Sequence, residues 1–449
     1  MGDILRELQN LVWGPPLLLL LLLTGLNFTL LLRGIQFRRF ATALRFAFVR
    51  RDEKDGEGDV SHFEALMTAL AGTVGVGNIV GVATAIAAGG PGALFWMWIA
   101  GLLGMATKYA EAVLGVRFRE TDARGEKAGG PMCYLEHGLG GKLGHRLAVA
   151  FAGFTAVAAF GIGNGVQSQA VAAALNGAFG TPRWLVGFIT AAAVGAVILG
   201  GIRSIARFAA LFVPAMILLY VAGCAVVLLG NIGQVPGAFG LVFQNALGTR
   251  AAAGGALGFT VLQTVRFGIA RGVMSNESGL GTGGIAAAAA RTKEPVRQAL
   301  VSMTQTFIDT ILVSTLTGLV ILSSGAWTSD AGGDMAQRAF EMGLPGGGAV
   351  FVAVALTFFA FSTLIGWAYY GERSLVYLAG ERAIRPYRLA FVLVAGLSAV
   401  VGLEAVWLVS DILNAFMAIP NLIGLMLLSG LVRRETRFFF ARQPTKRRL

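Results

Sequence analysis

Charge is the scarcest ingredient of this sequence. Only 13% of its 449 residues are Asp, Glu, Lys or Arg, about half the share that a soluble globular domain carries. So few charges cannot cover a water-exposed surface, which excludes a soluble enzyme, a soluble nucleic-acid binder and a disordered scaffold. Cysteine is almost missing. Cys133 and Cys224 are too few for a disulfide framework and read as small buried apolar residues. The three histidines, His62, His137 and His145, lie in polar connecting stretches without metal-ligand spacing, so no transition-metal site is expected.

What the chain has instead is apolar bulk: 55% hydrophobic residues, a mean hydropathy of +0.70, and 63 glycines. A membrane-spanning helix needs about 20 mostly apolar residues. Runs of that kind lie near 15–33, 64–88, 93–116, 147–175, 184–200, 208–230, 255–290, 298–323, 348–371, 387–403 and 406–432. The expected class is therefore an all-α polytopic membrane protein with about eleven transmembrane helices. The stretch before the first run carries two acids and one base, and no small-residue cleavage site follows it. That run reads as a retained anchor helix and not as a signal peptide.

The net charge of +12 follows the same plan. With eleven spans and a cytoplasmic C-terminus, 29 of the 36 basic residues fall in inside segments, as the positive-inside rule requires. This places the N-terminus outside and the C-terminus inside a bacterial cytoplasmic (inner) membrane. The excess charge is topology signal, with membrane lipid as the partner of the basic tail; no nucleic acid and no obligatory protein partner is called for.

Two spans contain stretches that helix propensity disfavours. The second reads Gly72-Thr-Val-Gly-Val-Gly-Asn78, with Gly81 beyond. Each interior Gly costs about 1 kcal/mol in a helix. An interruption there would expose backbone groups at mid-membrane, which is tolerated only where they line a cavity or bind something; the competing reading is a small-residue packing face. The seventh span reads Arg271-Gly-Val-Met-Ser-Asn-Glu-Ser-Gly-Leu-Gly281. Polar residues at that depth are functional candidates. Glu277 has two readings, an ion pair with Arg271 or Arg266, or a direct ligand.

The two interruptions lie five spans apart. With the first helix set aside they open the two halves of a ten-span core, and an odd repeat length inverts the second half. Inverted repeats that each begin with a broken helix are a signature of secondary transporters. The expected organisation is an anchor and linker over 1–62, a first repeat over 63–230, a second over 255–432 and a basic tail over 433–449. Half-helix N-termini would face a substrate carboxylate, and unwound carbonyls would face a small cation.

Other spans add Asn164, Gln167 and Ser168 in the fourth, and Ser362, Thr363 and Trp367 in the ninth. Gln167 is suited to a zwitterion or to an interhelical hydrogen bond. Asp309, Asp411, Asn414, Asn421 and the Lys108/Glu111 pair read as structural, with Asp411 facing water near the outer end.

Four motifs carry a resemblance. Gly89-Gly-Pro-Gly-Ala-Leu-Phe-Trp-Met-Trp98, the 72–81 and 271–281 stretches, and Phe361-Ser-Thr-Leu-Ile-Gly-Trp-Ala-Tyr-Tyr-Gly-Glu372 resemble the alanine or glycine:cation symporter family, in family order. The resemblance implies a LeuT/APC-like fold of two inverted five-helix repeats and sodium-coupled import of alanine or glycine, without a cofactor. It implies substrate contacts at Thr73, Gly75, Asn78, Gln167, Phe267, Gly268, Met274, Ser275, Asn276, Thr363 and Trp367. It implies cation contacts at Gly72, Val74, Gly77, Ser362 and Thr363, with Na+ as the coupling ion. Met274 stands where Phe is common, and Gly101 where a slightly larger residue is usual. Both departures bear on substrate size, Met being the more adaptable side chain. Proton-coupled uptake of another small amino acid and a non-transporting amino-acid sensor are the alternatives. A channel would want a pore lined by repeated charges or carbonyls, and an intramembrane enzyme a catalytic pair; neither pattern is present.

Overall fold

A computed structural model describes residues 2–50, 53, 56–247, 261–328, 332–401 and 404–442. Nearly all of it is helical. Among the described residues, extended pairing is confined to the hairpin Glu120–Thr121/Lys127–Ala128 and one parallel bridge between Val60 and Ala290. Hydrocarbon offers backbone groups no partners, so each spanning segment closes its own hydrogen bonds as a helix.

The anchor helix, Pro15–Leu31, shows the logic in miniature. Proline in its first turn removes an N–H that would have no partner. Leu17, Leu18, Leu21 and Phe28 are buried against the bundle, whereas Leu19, Leu23, Leu26 and Leu30 are exposed on the lipid side. Gly25 allows close approach: a Cβ there would lie 2.8 Å from Leu103 Cβ.

Seven helices among the described residues are long and apolar enough to cross a membrane, and the bent pair His62–Thr73 and Gly77–Gly89 makes an eighth. Arg183–Ile198 and Ile384–Ser398 are shorter, with 16 and 15 residues. The expected span 255–290 appears as Val261–Asn276 and Thr282–Ala288, and its first residues lie outside the described ones. Three helices arise where connectors or a tail were expected: Val235–Ala246, Met335–Gly343 and Ser429–Arg442. They are too short or too polar to register as spans; Val432, Thr436 and Phe439 of the last bury one face at helical spacing.

Two helices organise the centre. Ala93–Arg117 packs against Pro295–Thr306, Val261–Asn276, Thr282–Ala288 and the anchor. Gly348–Ala379 packs against Val166–Phe179, Gly141–Phe160, Gly201–Gly230 and His62–Thr73. Each of the two thus touches one of the broken spans along its length.

Candidate functional site

The first broken span starts with a capping box. Ser61 Oγ accepts from Glu64 N at 3.2 Å, and Glu64 Oε2 accepts from Ser61 N at 2.7 Å. The helix stops at Thr73, Val74 turns extended (φ −74°, ψ 93°), and the chain resumes at Gly77–Gly81 as a wide π turn. The two halves meet at 56°. The Val74 carbonyl, released by the break, lies 3.3 Å from Ser362 Oγ and 3.4 Å from Thr363 Oγ1, hydroxyls that also reach the Phe359 carbonyl of their own helix at 2.8 and 3.0 Å. Gly75 N donates to Asn78 Oδ1 at 2.9 Å, and a Cβ on Gly75 would collide with Thr363 Oγ1. Only glycine fits that approach.

The second interruption runs from Glu277 to Gly281. Glu277 adopts φ +56°, rare for a residue with a Cβ, and Gly279 and Gly281 follow at +95° and +89°. Glu111 ties off the freed amides: its Oε1 accepts from Gly279 N at 2.9 Å, Gly281 N at 3.0 Å and Asn421 Nδ2 at 3.0 Å. Lys108 Nζ donates to the Glu277 carbonyl at 3.0 Å and stands 3.6 Å from Glu111 Oε2. The Glu277 carboxyl accepts from Thr282 Oγ1 at 2.6 Å and Trp367 Nε1 at 2.7 Å.

Two expectations are corrected here. Glu277 pairs with neither Arg271 nor Arg266, because its left-handed backbone turns it toward Thr282 and Trp367 instead of along the helix. Arg271 Nη1 lies 3.8 Å from Asp411 Oδ2, and Arg266 Nη2 donates to Asn10 Oδ1 at 2.7 Å. Asp411 does not face water: it is 3% exposed, and Gln9 Nε2 donates to it at 2.5 Å. The helix Gly2–Val12 packs over it, an element that apolar run length did not reveal.

Between the breaks lies a cavity of about 300 Å³, at the small end of ligand pockets, which span about 300–1,000 Å³. Gly72, Thr73, Gly75 and Gly77 line it from the first break, Met274 and Glu277 from the second, with Gln167, Thr363 and Trp367 opposite. Gln167 Nε2 donates to Ile162 O at 3.0 Å across the π turn Gly161–Gly165, leaving Oε1 3.5 Å from Val76 N. Val76, Val80 and Trp407 also line a neighbouring cavity of about 360 Å³ that reaches Arg183 and Asp334. Trp367, in the cavity wall, packs edge to face on Tyr370, ring centres 5.8 Å apart.

Of the expected substrate residues, the structure brings Thr73, Gly75, Gln167, Met274, Thr363 and Trp367 to this cavity. It places the others elsewhere. Asn78 Nδ2 donates to Asp309 Oδ1 at 2.9 Å and Ser314 Oγ at 3.1 Å, Ser275 Oγ to Asp309 Oδ2 at 2.9 Å, and Asn276 Nδ2 to Thr310 Oγ1 at 3.0 Å. These three fasten the breaks to Phe307–Ser314. Gly268 packs on the Ala93 backbone, and Phe267 borders an adjoining small cavity with Trp13 and Asp411 that shares Arg271 and Met274 with the main one. Of the expected cation residues, Gly72 and Gly77 line the cavity, while Val74, Ser362 and Thr363 converge through oxygen atoms. Neutral carbonyl and hydroxyl oxygens beside an unwound helix suit a small hard cation. Arg271, Glu277, Trp407 and Asn414 also line the cavity; this fits the direct-ligand reading of Glu277 and places Asn414, expected to be structural, at the cavity wall. A polar or charged residue at membrane depth is the available signal for Arg271, Glu277 and Asn414, and nothing local marks Trp407.

A nearly all-helical body with apolar side chains on its outer surface, two interrupted helices and a small, mainly apolar cavity between them that carries a few polar groups fit a multi-pass membrane transporter. The chain belongs to the sodium:alanine symporter family, whose profile matches residues 1–448; it is a transporter family and not an enzyme family. The chain is 50% identical to the sodium/alanine symporter AgcS of Methanococcus maripaludis, over 97% of each chain. It is also 50% identical to an uncharacterized transporter of Haemophilus influenzae, over 98% of this chain and 96% of that one. Among solved structures it resembles MhsT in complex with L-phenylalanine, with a TM-score of 0.57 and 15% identity over 83% of this chain and 90% of that one. That last likeness speaks of fold alone.

Proposed function

We propose that this chain is a sodium-coupled symporter that imports a small neutral amino acid, alanine or glycine, across the cytoplasmic membrane by alternating access. The observation that carries the reading is the convergence of the Val74 carbonyl with the Ser362 and Thr363 hydroxyls at the edge of the 300 Å³ cavity. One unwound stretch then serves both ligands: its carbonyl faces the cation and its glycines face the substrate, so each ligand preorganises the site for the other. Kinship with a sodium/alanine symporter at 50% identity supports both ligands. The remaining proposals are a core of two inverted five-helix repeats, 63–230 and 255–432, within eleven spans, and an N-terminus outside with the C-terminus inside.

In this reading the cavity communicates outward past Val80 and Trp407. The arginine-rich face is sealed, in part by Arg119, which donates to the carbonyls of Glu57, Ala288, Ala290 and Thr292 at 2.6–3.1 Å. Binding of both ligands would close the outer side, and release would require that seal to open.

The test is radiolabelled alanine uptake into proteoliposomes with a competing amino-acid panel. Uptake should require an inward sodium gradient and be outcompeted by glycine. Undiminished uptake when potassium replaces sodium at fixed pH would point to proton coupling. Saturable binding without flux would point to a sensor. Gln167→Ala should weaken alanine affinity about tenfold, on the scale of one lost hydrogen bond.

A further inference from the structure

A second cavity, of about 390 Å³, lies far from the substrate site in sequence and in kind. Arg33, Arg38 and Arg39 line it from the segment after the anchor helix, and Arg433 and Arg437 from the C-terminal helix Ser429–Arg442. No acidic residue lines it among the described ones. Glu435, the acidic neighbour on the same helix, is engaged elsewhere, 3.3 Å from Arg117.

The site is held in place from both sides. Thr436 Oγ1 and Tyr109 OH are 2.8 Å apart, which fastens the C-terminal helix to Ala93–Arg117. The Arg39 guanidinium stacks over the Phe440 ring at 4.3 Å, joining the two arginine-bearing segments. Arg33 and Gly34 both adopt positive φ, +56° and +66°, turning the chain sharply where the anchor ends. Arg33 occupies a conformation that glycine adopts more freely. The wall is amphipathic: Leu32, Ile35 and Phe440 share it with the guanidinium groups. The exposed leucine stripe of the anchor, Leu19, Leu23, Leu26 and Leu30, ends one residue before the cavity's Leu31.

Five guanidiniums around an apolar floor, at the end of a lipid-facing stripe, match one class of ligand. We propose that this cavity is a binding site for an anionic phospholipid such as phosphatidylglycerol, the phosphodiester held by Arg39, Arg433 and Arg437 and an acyl chain laid along the anchor helix. Arginine recognises phosphate oxygens bidentately, and basic pockets between transmembrane elements hold anionic headgroups. The site joins the anchor to the C-terminal helix, so a bound lipid would brace two elements that flank the transport core.

The test uses native mass spectrometry of the full chain released from nanodiscs that contain phosphatidylglycerol and phosphatidylcholine with identical acyl chains. The wild type should retain phosphatidylglycerol with a preference on the order of 100-fold, from about fivefold per arginine over three residues. Arg39→Gln/Arg433→Gln/Arg437→Gln should bring retention near parity. Arg382→Gln/Arg385→Gln, which removes exposed charge at another place, should leave it intact. Parity in the wild type would overturn the proposal whether or not the triple variant folds. So would a preference that survives the triple change, or one lost equally in the Arg382/Arg385 variant. Displacement of the lipid by millimolar inorganic phosphate would assign the site to free anions and overturn the lipid.

Discussion

Thr363 Oγ1 lies 3.4 Å from the Val74 carbonyl while its single proton has a shorter acceptor in Phe359 O at 3.0 Å, so a helix that never breaks brings a hydroxyl oxygen up to a backbone group released by one that does. This contact joins residues 289 apart in sequence. It gives the cation reading its sharpest consequence. Thr363→Val keeps the β-branched shape and removes the hydroxyl. The sodium concentration for half-maximal uptake should rise about tenfold or more, the scale of a hydrogen bond to a charged group. An unchanged sodium dependence would remove Thr363 from the cation site.

Gly75 allows no side chain. A Cβ would collide with Thr363 Oγ1 and lie 3.4 Å from Gln167 Oε1, in contact with two groups of the cavity. Gly75→Ala should abolish alanine uptake while the protein still inserts and elutes as a single species in detergent. Uptake at wild-type level would show that the two helices separate easily at this point.

Glu277 accepts from Trp367 and Thr282 while its backbone holds a left-handed turn. Glu277→Leu leaves both buried donors unpartnered, at about 1–3 kcal/mol each. Glu277→Gln keeps one carbonyl acceptor. Thermal unfolding midpoints should therefore rank wild type above Gln and Gln above Leu. Equal midpoints for the two variants would mean that these hydrogen bonds contribute nothing to the second break.

Arg119 bridges four carbonyls of two segments, 57–60 and 288–292, which also pair directly where Arg291 N donates to Val60 O at 2.6 Å. Arg119→Ala should weaken this closure by roughly 2 kcal/mol or more, since hydrogen bonds from a charged donor contribute about 1.5–3 kcal/mol each. A cysteine placed at buried Ala289 should then react with a membrane-impermeant thiol reagent at least tenfold faster than in the Arg119 background. Equal rates would show that the face is closed by packing alone.

Much of the site was legible because its chemistry conflicts with its location. Glycines at 72, 75 and 77 and polar groups at 275–278 are poor choices for apolar helices, so their presence marks interruptions without any knowledge of neighbours. Thr73, Gly75, Gln167, Met274, Thr363 and Trp367 then meet at one cavity. Asn78, Ser275 and Asn276 look the same in sequence yet turn to Asp309, Ser314 and Thr310. Nothing local separates a polar side chain that faces a cavity from one that fastens two helices, because both satisfy the same need for a partner in a dry interior.

The sequence by itself determined the class of molecule and the positions of its two breaks, since hydrocarbon admits only runs of apolar residues and penalises glycine, charge and unpaired backbone wherever they occur. Tertiary structure alone decided the pairings. Glu277 received Trp367 and Thr282 instead of an arginine, Asp411 was covered by a helix preceding the first span, and five arginines from opposite ends of the chain gathered around one cavity. Those outcomes depend on which helix faces meet and at what distance, and hydrogen bonds and ion pairs act only over a few ångströms.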